Sequence, residues 1–396
     1  MIKTLRMKKI ICILAFAAAL CACGKQDTVY KPFVKEGGYI YPAKPIDLKA
    51  TSGYQRVLLE WKAPMDPSIR STKLFWDNYT DSLVFSRSDY QDETLQVWVD
   101  GLGDRSYTFD IVNYDGQGHK SLASEITTTP FGESWLLSHA ERSILSAKID
   151  DEDAEVVMTK ATDEMVATQF RYRNTDGEIV LSPWMMPEDN SITLPKAAKG
   201  KRFEFRSAFL PLHGIDTVWT VSWSKSPNPI VYALPTSEWA VSVTKGQEYS
   251  AFTCEKIFDG VAATNNRWHS ARTGAAAKVF PKILSIDTGQ ETEPYIITSF
   301  DFYQNPANNV YRYIRNVKIY LGPEPYDPDE ADALTQYGKP VMDLIFTRSE
   351  DVTTVTPRPA VSGRYMAILF ENSYSASGYI DLWELVPYGY LASEVE

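Results

Sequence analysis

Short apolar–polar alternations, each closed by a turn signal, recur along most of this chain and restrict it to sheet-built folds. Residues 57–61 (Val-Leu-Leu-Glu-Trp), 71–76, 94–99 and 107–111 (Tyr-Thr-Phe-Asp-Ile) have strand length and strand composition. The last alternates cleanly with period two, as a pleated strand with one buried face requires. Between these segments stand Gly53, Pro64 with Pro67, Asp77-Asn78, Gly101 with Gly103, and Asp115-Gly116. Such residues supply turn dihedrals or stop a strand. No stretch sustains a helical period, so major helices are not expected. Short strands at this spacing over residues 44–130 predict a β-sandwich.

The theme then repeats. Residues 131–140 read as a junction, and 154–159, 167–173, 191–194, 203–207 and 217–223 are strand-like, with Thr175-Asp176-Gly177 as a hairpin turn. These predict a second sandwich over residues 131–229. Pro227-Asn228-Pro229 is the clearest linker, because two prolines in three residues end a strand and stiffen the connection. A third unit follows over residues 234–391. The expected fold is all-β, and 396 residues suit two or three domains.

The first 22 residues read as an export signal. Lys3, Arg6, Lys8 and Lys9 precede an apolar run over residues 10–20, too short to span a bilayer as a helix. Met7 serves equally well as the start. The run ends in Leu20-Cys21-Ala22-Cys23-Gly24, which resembles a bacterial lipobox with Cys23 as the acylated residue. Cleavage there would leave Cys254 as the last thiol, so the domains are expected to hold together by their cores without an internal disulfide. Residues 23–43, with Pro32 and Gly37-Gly38, read as lipid anchor and tether. The formal charge of −11 disfavours nucleic acid and adsorption to anionic lipid, so membrane association is expected through the anchor alone. Asp27 is a lone acidic residue after the anchor. Both faces of the outer membrane stay open on that count, with the cell surface favoured.

Three resemblances follow from these residues. Pro45, Leu48, Trp61, Leu102 and Tyr107 stand where a fibronectin type III domain places its core and its tyrosine corner. The stretch over residues 30–44 (Tyr-Lys-Pro-Phe, Gly-Gly, Ile-Tyr-Pro), taken with both sandwiches, resembles a domain-of-unknown-function family of Bacteroides-type outer-membrane lipoproteins. In the third unit, Ile257-Phe258-Asp259-Gly260, Arg267-Trp268-His269-Ser270, Ile-Leu-Ser-Ile-Asp-Thr-Gly at 283–289, and Leu382-Trp383-Glu384-Leu385 resemble the discoidin domain. That family, also called the coagulation factor five/eight type C domain, includes the family 32 carbohydrate-binding modules. The fold implied is two fibronectin type III-like sandwiches followed by a discoidin-like jelly-roll sandwich.

The discoidin resemblance implies a sugar site on loops at one rim, where aromatic faces stack on C–H surfaces and a few polar groups bond hydroxyls. His269 matches a galactose-binding His of several members, and Arg272 stands where some carry a stacking aromatic. Phe302 and Tyr303 stand where galactose-binding relatives carry an Arg, so that bidentate donor is missing. Tyr303 or Tyr311 would stack instead, Arg312 would supply charge, Asn305 lies in the same loop, and Tyr374 would be a platform in a third loop. The resemblance also implies a structural, non-catalytic calcium held by Asp259 and Glu384, with either Thr264 or Asn266 completing the set.

The chain carries no Walker loop, Gly-x-Ser-x-Gly, His-Glu-x-x-His or Cys-x-x-Cys, and its four histidines are scattered over three units. It reads as a non-enzyme: a cell-envelope lipoprotein that binds a polysaccharide or oligosaccharide through its terminal sandwich. The alternative is adhesion or assembly with a protein partner of the envelope through the same loops. Replacing Cys23 by Ser is expected to abolish acylation and shift the protein from the membrane to the soluble fraction, read by radiolabelled palmitate incorporation.

Overall fold

The computed structural model describes residue 38 and residues 41–90, 93–263, 265–271, 273, 278–304, 314–329, 333–348, 351–376 and 378–395. The fold is all-β, with seven sheets among the described residues. No helix there is long and apolar enough to cross a membrane. The chain divides into two compact units, Met1–Trp135 with His213–Asp216, and Leu136–Leu212 with Thr217–Glu396.

The first unit holds one sandwich. Lys49–Gly53, Arg56–Lys62 and Thr94–Asp100 form a three-stranded sheet; Asp81–Ser86, Ile69–Trp76, Tyr107–Asp115 and Ser124–Thr128 form a four-stranded one. Their alternating apolar positions meet in a core of Val57, Leu59, Trp61, Leu74, Phe109 and Ile111. Trp61 carries a polar atom into that core, and Nε1–H donates to the Tyr90 hydroxyl at 3.0 Å. The same hydroxyl meets Thr72, which donates in turn to Asn113 Oδ1 at 2.7 Å, so the buried polar atoms satisfy one another. The expected tyrosine corner is present: the Tyr107 hydroxyl accepts from the Gly103 N–H at 3.0 Å.

The second unit contains two cores. In the first of them, Ser191–Leu194, Asp153–Met158 and Ile144–Asp150 face the sheet built on Met165–Arg173 and Glu204–Phe209. Phe170 is fully buried and lies 5.9 Å from Phe203 and 6.2 Å from Phe205, ring centre to ring centre. The strand expected at 217–223 is two short pieces, Val218–Trp219 and Ser224–Lys225, both paired to Glu204–Phe209. The junction at 131–140 holds a helix of one turn, Glu133–Leu137.

The second core lies between two five-stranded antiparallel sheets. One is ordered Tyr232–Ala233, Glu384–Tyr390, Ile296–Tyr303 and Val352–Val355, with Val361–Ser362 off its path. The other is ordered Ala240–Val243, Lys282–Asp287, Tyr365–Phe370, Asn316–Gly322 and Met342–Ile345. Trp268, Phe300, Phe302 and Phe370 fill the space between them. Close pairing of Ile296–Tyr303 with Glu384–Tyr390 demands Gly389, since a Cβ there would stand 2.2 Å from the Ile296 carbonyl oxygen.

The outward face of Ile296–Tyr303 is also covered. Asp301 is 6% exposed because Lys148 reaches it from the neighbouring sandwich, Nζ to Oδ2 3.1 Å, while standing 3.6 Å from the centre of the Tyr388 ring. Ile149 N–H donates to the Val231 carbonyl at 2.8 Å, two residues past the proline linker. The two sandwiches are therefore packed together. Phe170→Ala is expected to cost the second unit about 3–5 kcal/mol, the range for emptying a closed aromatic site, read as an earlier urea unfolding transition.

Candidate functional site

The site expected on the third sandwich begins with the short strand Trp268–His269, paired with Asp381–Leu382. Trp268 turns inward onto Phe370 at 5.5 Å, which sends the next side chain, His269, toward the loops. His269 is only 3% exposed. Its ring lies 5.4 Å from Tyr379 and 6.4 Å from Tyr249, and its Nδ1–H donates to the Ser270 carbonyl at 2.6 Å. The carbonyl can only accept, so the proton sits on Nδ1. Tyr249 stacks in turn on Phe252 at 5.8 Å, and Arg267 lies over Phe252 at 4.4 Å while pairing with the buried Asp381 at 3.2 Å. The result is an aromatic cluster with Tyr249 37% exposed at its surface.

Beside it lies a carboxylate pair. Asp259 closes the 3-10 turn Cys254–Phe258, and both its oxygens accept from Asn266 Nδ2 at 2.7 Å; the same amide donates to the Val261 carbonyl at 2.8 Å. Glu384 opens its strand 4% exposed, with Oε1 accepting from the Gly260 N–H at 3.3 Å. Its Oε2 is buried without a hydrogen-bond partner. Burial, with the Asp259 charge adding to it, pushes the Glu384 carboxyl up to about 8. The two carboxylates, one oxygen of Glu384 buried without a hydrogen-bond partner, and the Val261 carbonyl are hard oxygen donors, the chemistry a calcium ion takes.

The expected contact residues divide. Asp259, Asn266 and Glu384 come together. His269, expected as a sugar contact, is 3% exposed and set between the Tyr249 and Tyr379 rings. Tyr374 is half-buried where an open platform was expected. Its hydroxyl donates to the Phe346 carbonyl at 2.9 Å, and Arg315 and Arg348 flank its ring at 5.4 and 6.0 Å. Tyr303 ends its strand opposite Val352 and Glu384, half-buried. Cys23, Thr264, Arg272, Asn305, Tyr311 and Arg312 lie outside the described residues. Sequence reading missed Tyr249, Phe252 and Tyr379; Tyr249 and Phe252 stack on each other, and the distant Tyr379 joins them through His269, with the Gly378 turn before Tyr379 as the one local signal.

Glu248, Cys254 and Glu255 also bring their ligand atoms within 4.8 Å of one another. Burial and the Glu248 carboxylate hold the Cys254 thiol above its ordinary range.

Residues 23–218 match a family model, DUF4998, described as a domain of unknown function. No curated protein matches the chain. Among solved structures, a SusE-like protein is similar over 63% of this chain and 97% of its own, at 11% identity and a TM-score of 0.35. The family 32 CBM from C. perfringens NanJ, solved in complex with galactose, is similar over 40% of this chain and 99% of its own, at 21% identity and a TM-score of 0.32. The two-domain fibronectin type III segment of chicken tenascin is similar over 46% of this chain and 99% of its own, at 14% identity and a TM-score of 0.20.

The Glu384 carboxyl makes a signed prediction. A carboxyl raised from 4.5 to about 8 contributes stability below 4.5 that is lost as pH rises through about 8. In chelator, Glu384→Gln should melt higher than the natural protein at about pH 9 and lose that advantage toward about pH 4, measured by thermal unfolding across the range.

Proposed function

We propose that this protein is a non-catalytic, membrane-anchored lipoprotein of the cell envelope, facing the cell surface, that captures polysaccharide through its third sandwich. The observation that carries this reading is the aromatic cluster of Tyr249, Phe252 and Tyr379 braced from below by His269. Aromatic rings held by a buried strut present C–H-stacking faces at small entropic cost, which is what a neutral sugar ring requires. The discoidin resemblance of the surrounding sequence supports a sugar site on loops of this unit. Arg267, locked over Phe252 by Asp381, stabilises the cluster from the side. Asp259 and Glu384 would hold a calcium ion, whose charge would satisfy the buried Glu384 oxygen and brace the loop that leads into Trp268. Single sugar contacts of this kind are weak, and retention would come from many copies on one surface meeting a repeating ligand.

The test is a glycan array probed with the chain beginning at Gly24, with calcium and with chelator, beside a Tyr249→Ala/Tyr379→Ala variant. Binding by the natural chain that falls about tenfold or more in the variant, with an unchanged melting temperature, is expected, a loss of about 1.4 kcal/mol. A folded protein that binds no glycan and instead retains one stoichiometric envelope protein would overturn the reading in favour of protein adhesion.

A further inference from the structure

The outward face of the second sandwich carries an ordered row of indoles and guanidiniums. Trp184 meets Trp219 edge to face at 5.5 Å, the Arg206 guanidinium lies 4.6 Å from the centres of both Trp219 and Trp223, and Arg171 lies 4.7 Å from Trp223. Strand register builds the row. Phe170, Tyr172 and Phe205 point into the core, so Gln169, Arg171, Glu204 and Arg206 must point out, with Gln169 opposite Arg206 and Arg171 opposite Glu204. Trp184, at the open end, is 60% exposed. Burying none of its indoles fully, this face spends tryptophan where a spacer domain would place Lys, Glu or Thr.

At its Arg171 end the row runs into a cleft of about 200 Å³. Arg171, Arg173, Lys201, Arg202, Lys225 and Glu204 line it, five cations to one carboxylate among the described residues. Glu204 is already engaged, accepting from Arg171 Nε at 2.7 Å. Local charge is thus strongly positive on a chain whose formal charge is −11, a contrast that a bound anion would explain. The cleft is smaller than the roughly 300–1,000 Å³ of a typical small-molecule pocket, which suits one charged sugar residue at a time. The neighbouring indoles offer stacking surface to the residues that follow it.

We infer that this face is a second binding surface, separate from the loops of the third sandwich, and that its ligand is an anionic oligosaccharide carrying carboxylate or sulfate groups. The acidic group enters the Arg171–Arg173–Lys225 cleft, and the chain continues across Trp223, Trp219 and Trp184. Guanidiniums pair with carboxylate and sulfate through two parallel N–H groups, and arginines already stacked on indoles lose little freedom in doing so. The inference does not depend on the aromatic cluster of the third sandwich.

The experiment is calorimetric titration of the chain beginning at Gly24 with three probes: oligogalacturonate for carboxylate, heparin oligosaccharide for sulfate, and neutral galactan oligosaccharide. Three variants accompany it, Trp184→Ala and Arg173→Ser/Lys225→Ser at exposed positions of this face, and Tyr249→Ala/Tyr379→Ala, with melting temperature as the control for folding. At least one anionic probe should bind, more weakly by about tenfold as salt rises from about 0.05 M to about 0.5 M. The double variant should lose about tenfold and Trp184→Ala about fivefold in affinity. The Tyr249→Ala/Tyr379→Ala variant should bind the anionic probe unchanged, which separates this surface from the other. Failure of both anionic probes to bind, equal binding of the neutral one, or indifference to both exposed-position variants would each overturn the inference.

Discussion

A pleated strand has two faces, and a sandwich can spend only one of them on its core. What each sheet does with the other face determines how this protein is put together. In the strand Ile296–Tyr303 both faces are used: Phe300 and Phe302 go into the jelly-roll core, and Asp301 goes into the junction with the neighbouring sandwich. In Met165–Arg173 the inward residues Phe170 and Tyr172 fill a core, and the outward ones carry the Trp–Arg row. With Cys254 buried and reduced, no disulfide among the described residues relieves the cores of holding these sheets together.

The two proposed surfaces follow from that division and differ in physical character. On the third sandwich the aromatic residues come from loops beside a buried histidine, so recognition there would rest on stacking. On the second, the guanidiniums of Arg171 and Arg206 come from paired strands and lie against Trp219 and Trp223, so recognition would rest on charge as well. One protein would then carry separate surfaces for neutral and acidic stretches of a mixed polysaccharide.

Much of this was legible in the sequence where periodicity carries the information. Residues 191–194 were read as a strand and are a strand with those bounds, because turn chemistry closes them on either side. Trp61 and Tyr107 were read as core and corner and occupy those places. Contacts made across long separations were not legible. Nothing in the spacing of Tyr249, His269 and Tyr379 says that they meet, and a histidine beside a core tryptophan reads the same whether it is exposed or buried. The Trp–Arg row escaped for a related reason. Trp184 and Trp223 lie outside any strand, and only the folded sheet brings them beside Arg171, Arg206 and Trp219. Pro227-Asn228-Pro229 was read as a stop, yet it does not separate its neighbours, since Val231 joins the edge of Ile144–Asp150 in the sandwich before it.

That junction has a mechanical side. A ligand pulling on the loops of the third sandwich loads the strand Ile296–Tyr303, whose back is fastened to Lys148 through Asp301. The load does not pass only along the covalent chain through the prolines. Part of it crosses sideways into Ile144–Asp150, where an ion pair and a ring contact are strained in shear along with the backbone bridge of Lys148 to Val231. Under tension the two sandwiches resist as plates riveted together, and the rivet is a lysine.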